Sequence, residues 1–133
     1  MTLDEYLRNT PGTGVLATAD AAGKVDAAIY SRPYILTDKT LVFIMRDHLT
    51  LSNIRKNPYA AYMFIEDGPR YRGIRLFLKK VREDAEPDLL AKMTRRTLTL
   101  EQDRARGPKF LVYFVLEKML PLIGSGETGI NAP

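Results

Sequence analysis

Residues 45–64, "MRDHLTLSNIRKNPYAAYMF", read as a strand end, a polar turn, a short helix, a proline stop and the start of a new strand. Asp47 is placed as an N-cap ahead of "HLTLSNIRKN", because a short carboxylate accepts the first free helical N–H groups. Leu51 and Ile54 share one helical face. Asn57 precedes Pro58, and a residue before proline is pushed out of helical backbone, so the helix ends there. The junction crowds Arg46, Asp47, His48, Thr50, Ser52 and Asn53 where a strand becomes a helix. Free backbone N–H groups and the helix dipole make such a junction a seat for an anion such as a phosphate. Arg46 adds a forked donor, Thr50 and Ser52 add hydroxyls, and His48 adds a second positive charge when protonated. A nucleic-acid backbone and a plain capped helix account for the same residues.

Working outward, "LVFIM" just upstream is nearly all apolar and predicts a strand buried on both faces. Before it, "KVDAAIYSRPYIL" predicts a strand interrupted at Pro33, since proline cannot donate to a sheet ladder and demands an edge, bulge or bend. Still earlier come a T-x-x-E capping box at Thr2 and Glu5, a short amphipathic helix carrying Leu3, Tyr6 and Leu7, and the strand "GVLATAD". Downstream, "YAAYMFIE" is a strand, and in "IRLFLKKV" Ile74, Leu76 and Leu78 alternate with Arg75, Phe77 and Lys79. Pro87 opens a helix over 87–98 with Leu89, Leu90 and Met93 as its apolar stripe. "GPKFLVYFVLEKMLPLIG" holds a last strand, and "SGETGINAP" is expected to be loosely ordered. Short turns between the first strands favour an antiparallel barrel or sandwich over a parallel α/β sheet.

The chain has 133 residues, 45% of them apolar, which suits a single domain with a real core. Its apolar runs fall short of the roughly 18 residues of a membrane span. The acidic, polar start is unlike a signal peptide, so a cytoplasmic protein is expected. There is no cysteine and a single histidine, His48. Thiol catalysis, disulfides and thiolate metal sites are excluded, and a histidine-rich metal site with them. "GSGETG" at 124–129 matches a dinucleotide fingerprint by letter, but too little chain follows it to form the required helix. If this is an enzyme, a bound cofactor supplies the chemistry and the protein supplies position and electrostatics. Net charge is +4. The densest basic stretch, "RYRGIRLFLKKVR", reads as a solvated strand face or as a nucleic-acid groove, with neighbouring acids weakening the second reading.

A second constellation is "AIYSRPYIL", where Arg32 lies between Tyr30 and Tyr34 beside Ser31 and Pro33. A planar ring fits against such a bent strand; an ordinary core strand with one exposed arginine has the same letters. The order of all these segments resembles the pyridoxamine 5'-phosphate oxidase-like, FMN-binding split-barrel family. The family's "G-x-L-A-T" strand corresponds to residues 14–18, its "x-R-P" to Arg32 and Pro33, its apolar strand to 41–45, and its "N-x-x-x-N-P" to Asn53, Asn57 and Pro58. The likeness covers about residues 12–80 and weakly the last strand.

The resemblance implies a mainly β (α+β) fold, an antiparallel six-stranded split β-barrel with small peripheral helices. Its parts would be an N-terminal helix over 2–10, a barrel over about 13–118 and a tail over 124–133. It implies a homodimer with FMN at the subunit interface. The flavin ring would lie along Tyr30, Ser31, Arg32, Pro33 and Tyr34, and its phosphate near Arg46, Asp47, His48 and Thr50, with Met45, Ser52 and Asn53 as further cofactor-binding residues. The implied function is a flavin-dependent oxidoreductase. A non-enzymatic flavin, deazaflavin or haem-binding module, the last leaning on His48, is the alternative, with a small nucleic-acid-binding barrel behind it. Two departures stand out. Leu49 and Thr50 replace a basic residue common at the entry to the short helix, and no arginine follows Arg106, where true oxidases carry an arginine-rich substrate motif.

Overall fold

Thr2 accepts the Glu5 N–H at 3.2 Å and starts α1 (Leu3–Asn9) as the capping pattern predicts. The computed structural model describes residues 1–94 and 100–133, and the side chains of all of these except Leu100 and Glu101. After α1 follow β1 (Gly12–Ala19), β2 (Val25–Ile29), β3 (Tyr34–Ile35), β4 (Leu41–Arg46), α2 (Leu49–Lys56), β5 (Tyr59–Glu66) and β6 (Gly73–Asp84). The last elements are α3 (Pro87–Met93), α4 (Leu100–Ala105) and β7 (Lys109–Pro121). The helix expected over 87–98 ends at Met93 with Thr94 as its cap, and the rest of that expectation lies outside the described residues.

The strands form one 7-stranded sheet in the order β2-β1-β5-β6-β7-β4-β3. Each pairing is antiparallel. The seventh strand arises because the interruption at Pro33 is complete. What reads as one strand is β2 and β3, which occupy opposite edges of the sheet. Pro33 is buried in the link between them and has no N–H to continue a ladder. The chain thus crosses from one sheet edge to the other through 30–33, and the split in the barrel sits there.

The barrel interior is filled by Leu16, Phe43, Met45, Tyr62, Phe64, Leu76 and Phe114, with Leu3 and Leu7 of α1 and Leu51 and Ile54 of α2 packed into the same cluster. β4 is buried on both faces, as its composition predicts. Leu41, Phe43 and Met45 join the interior. Val42 belongs to a second cluster with Leu111 and Tyr113, against which Ile44 and the α3 stripe Leu89, Leu90 and Met93 pack. On β6, Ile74, Leu76 and Leu78 are the inward set, as their alternation predicts.

Two expectations change. The C-terminal tail is held rather than loose: Leu3 N–H donates to the Asn131 carbonyl at 3.0 Å, and Asn131 N–H donates to the Met1 carbonyl at 2.9 Å. Ile130 packs against the main core beside this pairing. Asp47 is not the N-cap of α2. His48 takes that position, in extended backbone and with no side-chain cap bond, and Asp47 is exposed. A short turn, with the His48 N–H on the Arg46 carbonyl at 2.8 Å, carries the chain past Asp47 before the helix begins. No helix among the described residues is long and apolar enough to cross a membrane.

Candidate functional site

The bend at 30–33 is held by three backbone acceptors. Tyr30 N–H donates to the Gly14 carbonyl at 3.0 Å, prolonging the β1–β2 ladder by one step. The Tyr62 hydroxyl donates to the Tyr30 carbonyl at 3.2 Å. Burial pushes that hydroxyl up to about 12, so it keeps its proton across the ordinary pH range. Gly14 makes the approach possible: a Cβ there would lie 1.9 Å from the Tyr62 hydroxyl and 2.6 Å from the Tyr30 carbonyl oxygen. Finally, Arg32 Nη2 donates to the Thr10 carbonyl at 2.5 Å, and its guanidinium lies 5.0 Å over the Phe64 ring. The Arg32 Nε–H is buried and has no acceptor among the described residues. Buried donors are normally paired, so an orphan calls for an explanation such as an absent ligand.

Beside the bend is a cavity of about 690 Å³, within the roughly 300–1,000 Å³ usual for small-molecule sites. The 30–34 bend lines it with Tyr30, Ser31, Arg32 and Tyr34, and β4 with the turn after it supplies Phe43, Ile44, Arg46 and His48. Of the twelve residues singled out from the sequence, the cavity thus gathers Tyr30, Ser31, Arg32, Tyr34, Arg46 and His48. Pro33 is buried in the bend and Met45 in the core, while Asp47 faces solvent. Thr50 is buried and bonds the Tyr30 hydroxyl, which burial raises and this bond lowers. Asn53 is buried with its amide on the Thr18 hydroxyl at 3.2 Å. Ser52 is half-buried and is not among the lining residues. Thr50 and Asn53 therefore fix α2 and Tyr30 from behind.

The rest of the lining comes from chain distant in sequence: Lys92, Met93 and Thr94 at the end of α3, Asp103 on α4, Arg106 after it, and Lys109 at the start of β7. Lys109 is brought in by register, since it pairs directly with Arg46 across β4 and β7. The basic residue in the last turn of α3, Lys92, is a signal that could have pointed to this wall. Among the described residues, Arg32, Arg46, Lys92, Arg106 and Lys109 line the cavity with a single carboxylate, Asp103. The Lys109 ammonium and then the Arg46 guanidinium, both bonded to it, hold that carboxyl below the usual carboxylate range. The cavity therefore offers aromatic and apolar walls with an excess of positive charge, which suits a planar ligand carrying an anionic group.

The basic stretch 70–82 is largely engaged within the chain. Arg75 donates to the Pro121 carbonyl at 2.9 Å and the Gly124 carbonyl at 2.6 Å. Lys80 pairs with Glu83 and Arg82 with Asp84.

No family model matches the chain, and no curated protein does. Solved structures do. An FMN-binding protein of Syntrophomonas wolfei superposes with a TM-score of 0.69 at 18% identity, covering 91% of this chain and 84% of that one. A candidate pyridoxamine 5'-phosphate oxidase of Lactobacillus delbrueckii gives 0.62 at 19% identity, over 90% of this chain and 93% of that one. HutZ, the haem storage protein of Vibrio cholerae, gives 0.59 at 20% identity, over 90% and 94%. At these identities the likeness concerns the backbone, and it shows that the chain has the split-barrel fold of the pyridoxamine 5'-phosphate oxidase-like proteins.

Proposed function

We propose that this chain binds FMN in the cavity between the 30–34 bend and the Arg46–His48 turn, and works as a flavin-dependent oxidoreductase. The observation that carries the reading is the buried Nε–H of Arg32, unpaired among the described residues, in an aromatic-walled cavity rich in cations. A flavin ring has carbonyl and ring-nitrogen acceptors for such a donor, and its phosphate suits the cationic end. When bound, the flavin supplies hydride or electron transfer through its N5. The chain's own part is to seat the ring against Tyr30, Tyr34 and Phe43, to offer Arg32 as a donor, and to neutralise the phosphate.

A second copy of the chain completes the site in this reading. The outer face of β2, β1 and β5 carries Val25, Ala27, Ile29, Val15, Ala17, Ala61 and Met63 in register, an apolar surface of the kind that marks an interface. Val25 is 84% and Ile29 71% exposed, and Ile29 also lines the cavity. A partner on this face therefore closes the cavity's edge. The cysteine-free composition suits a reducing cytoplasm.

Haem is the second reading, favoured by the position of His48, the one histidine, on the cavity wall. The visible spectrum of freshly purified protein, with the released chromophore weighed, separates the two. A flavin spectrum with released FMN is expected. A Soret band lost in His48→Ala would hand the site to haem, and a colourless protein that refuses added FMN would remove the flavin reading. For the dimer, Ile29→Asp is expected to give monomers in sedimentation and to lose bound flavin; a variant that keeps the wild-type mass overturns this interface.

A further inference from the structure

Arg46 and Lys109 face each other in register across β4 and β7, so two cations meet at one place on the cavity wall. Between them lies the single carboxylate that lines the cavity among the described residues, Asp103. Asp103 Oδ1 accepts from Arg46 Nη2 at 2.7 Å, and Oδ2 accepts from Lys109 Nζ at 2.8 Å. Further donors of the pair are directed too: Arg46 Nη1 donates to the Gly107 carbonyl at 2.7 Å, and Lys109 donates to the Thr94 hydroxyl at 3.0 Å. One carboxylate spanning an arginine and a lysine through its two oxygens occupies the geometry that two oxygens of a phosphate take up between the same groups.

The rest of the cavity lacks such neutralisation. Among the described residues, no ion pair forms to Arg32, Lys92 or Arg106. Lys92 lies 5.2 Å over the Tyr34 ring. Among the described residues, the one acid in the lining is thus spent where the paired cations Arg46 and Lys109 converge.

We propose that Asp103 is a resident counter-anion, holding the seat between Arg46 and Lys109 that a phosphate group takes in the loaded protein. The phosphate enters by displacing the α4 carboxylate, so its affinity is set by competition with an anion of the chain itself. Whether that phosphate is the flavin's own or free phosphate rests on the proposed function; the exchange with Asp103 does not. A neutral ligand does not enter this seat, so competition from Asp103 acts on a phosphorylated ligand and leaves its unphosphorylated form untouched.

The test compares wild type with Asp103→Asn, which keeps the shape and one acceptor but removes the charge. FMN and riboflavin are titrated by fluorescence, and inorganic phosphate by thermal shift, at low ionic strength. On the order of ten-fold tighter FMN binding is expected from losing a competing charge at this range, with riboflavin unchanged. Phosphate should raise the melting temperature of Asp103→Asn at lower concentration than that of wild type. Weaker FMN binding in the variant, equal gains for FMN and riboflavin, or an unchanged phosphate response would overturn the proposal. If neither protein binds FMN yet phosphate favours the variant, the flavin reading falls and the seat stands. Lys109→Met, which leaves Asp103 paired with Arg46, keeps the proposal testable if Asp103→Asn does not fold. It should abolish the phosphate response, and a wild-type response sinks the idea.

Discussion

Arg32 and Arg46 reach one cavity from two regions and differ in what already holds them. Arg32, in the bend between the sheet edges, has one carbonyl acceptor, a phenyl ring beneath it and a buried Nε–H without a partner among the described residues. Arg46, at the end of β4, is satisfied by the Asp103 carboxylate and the Gly107 carbonyl. As letters the two are equal candidates for an anion. In the fold, the first has donating capacity in reserve, and the second must give up a partner before it takes a ligand. A buried donor left unpaired carries a desolvation penalty that a ligand can relieve. A paired donor only exchanges one acceptor for another.

The severest way to break this contrast is to disturb the bend. Gly14→Ala places a Cβ against both the Tyr62 hydroxyl and the Tyr30 carbonyl, and overpacking against backbone should cost about 3 kcal/mol. Chemical denaturation should register this together with loss of cofactor binding. A variant with wild-type stability would mean that the bend is free to move and that Arg32 is not rigidly placed. Next in size is Arg32→Ala, expected to weaken FMN binding by about 1.5–3 kcal/mol, the range for hydrogen bonds that involve a charged group. Arg46→Ala should cost less, about 1 kcal/mol, because its partner Asp103 stays with Lys109 and the net gain of an exchanged bond is small. Equal losses in the two titrations would erase the distinction.

The smallest effect is a matter of pH. The Asp103 carboxyl is held below its ordinary value, chiefly by Lys109 and then by Arg46. A depressed carboxyl contributes stability that is fully present above its unfolded pKa and is lost as pH falls through the folded one. Wild type should therefore be slightly more stable than Asp103→Asn near neutrality, and the gap should close as acidification passes through that window. An identical acid limb in both proteins would mean that the Asp103 pairings add nothing to folding.

Much of the molecule was legible before any tertiary information. The capping box at Thr2, the two-sided burial of β4, the alternation on β6 and the Pro58 stop are local patterns with local causes, and each is found where expected. The resemblance to the split-barrel proteins also holds at the level of fold. Asp47 was misplaced because capping chemistry names a residue type. Which residue caps depends on where the turn after β4 delivers the chain, and that point came one residue later, at His48. The tail was misjudged because the sequence cannot show that Asn131 reaches the first residues of the chain.

The sequence by itself determined which segments are strands and helices, the break at Pro33 and the poverty of acid–base groups, because periodicity, proline and composition act over a few residues. Only the tertiary structure decided that the halves of one interrupted strand lie at opposite sheet edges, that Lys109 stands beside Arg46, and that Asp103 sits between them. Those facts depend on register and packing between segments about sixty residues apart, where no local preference reaches.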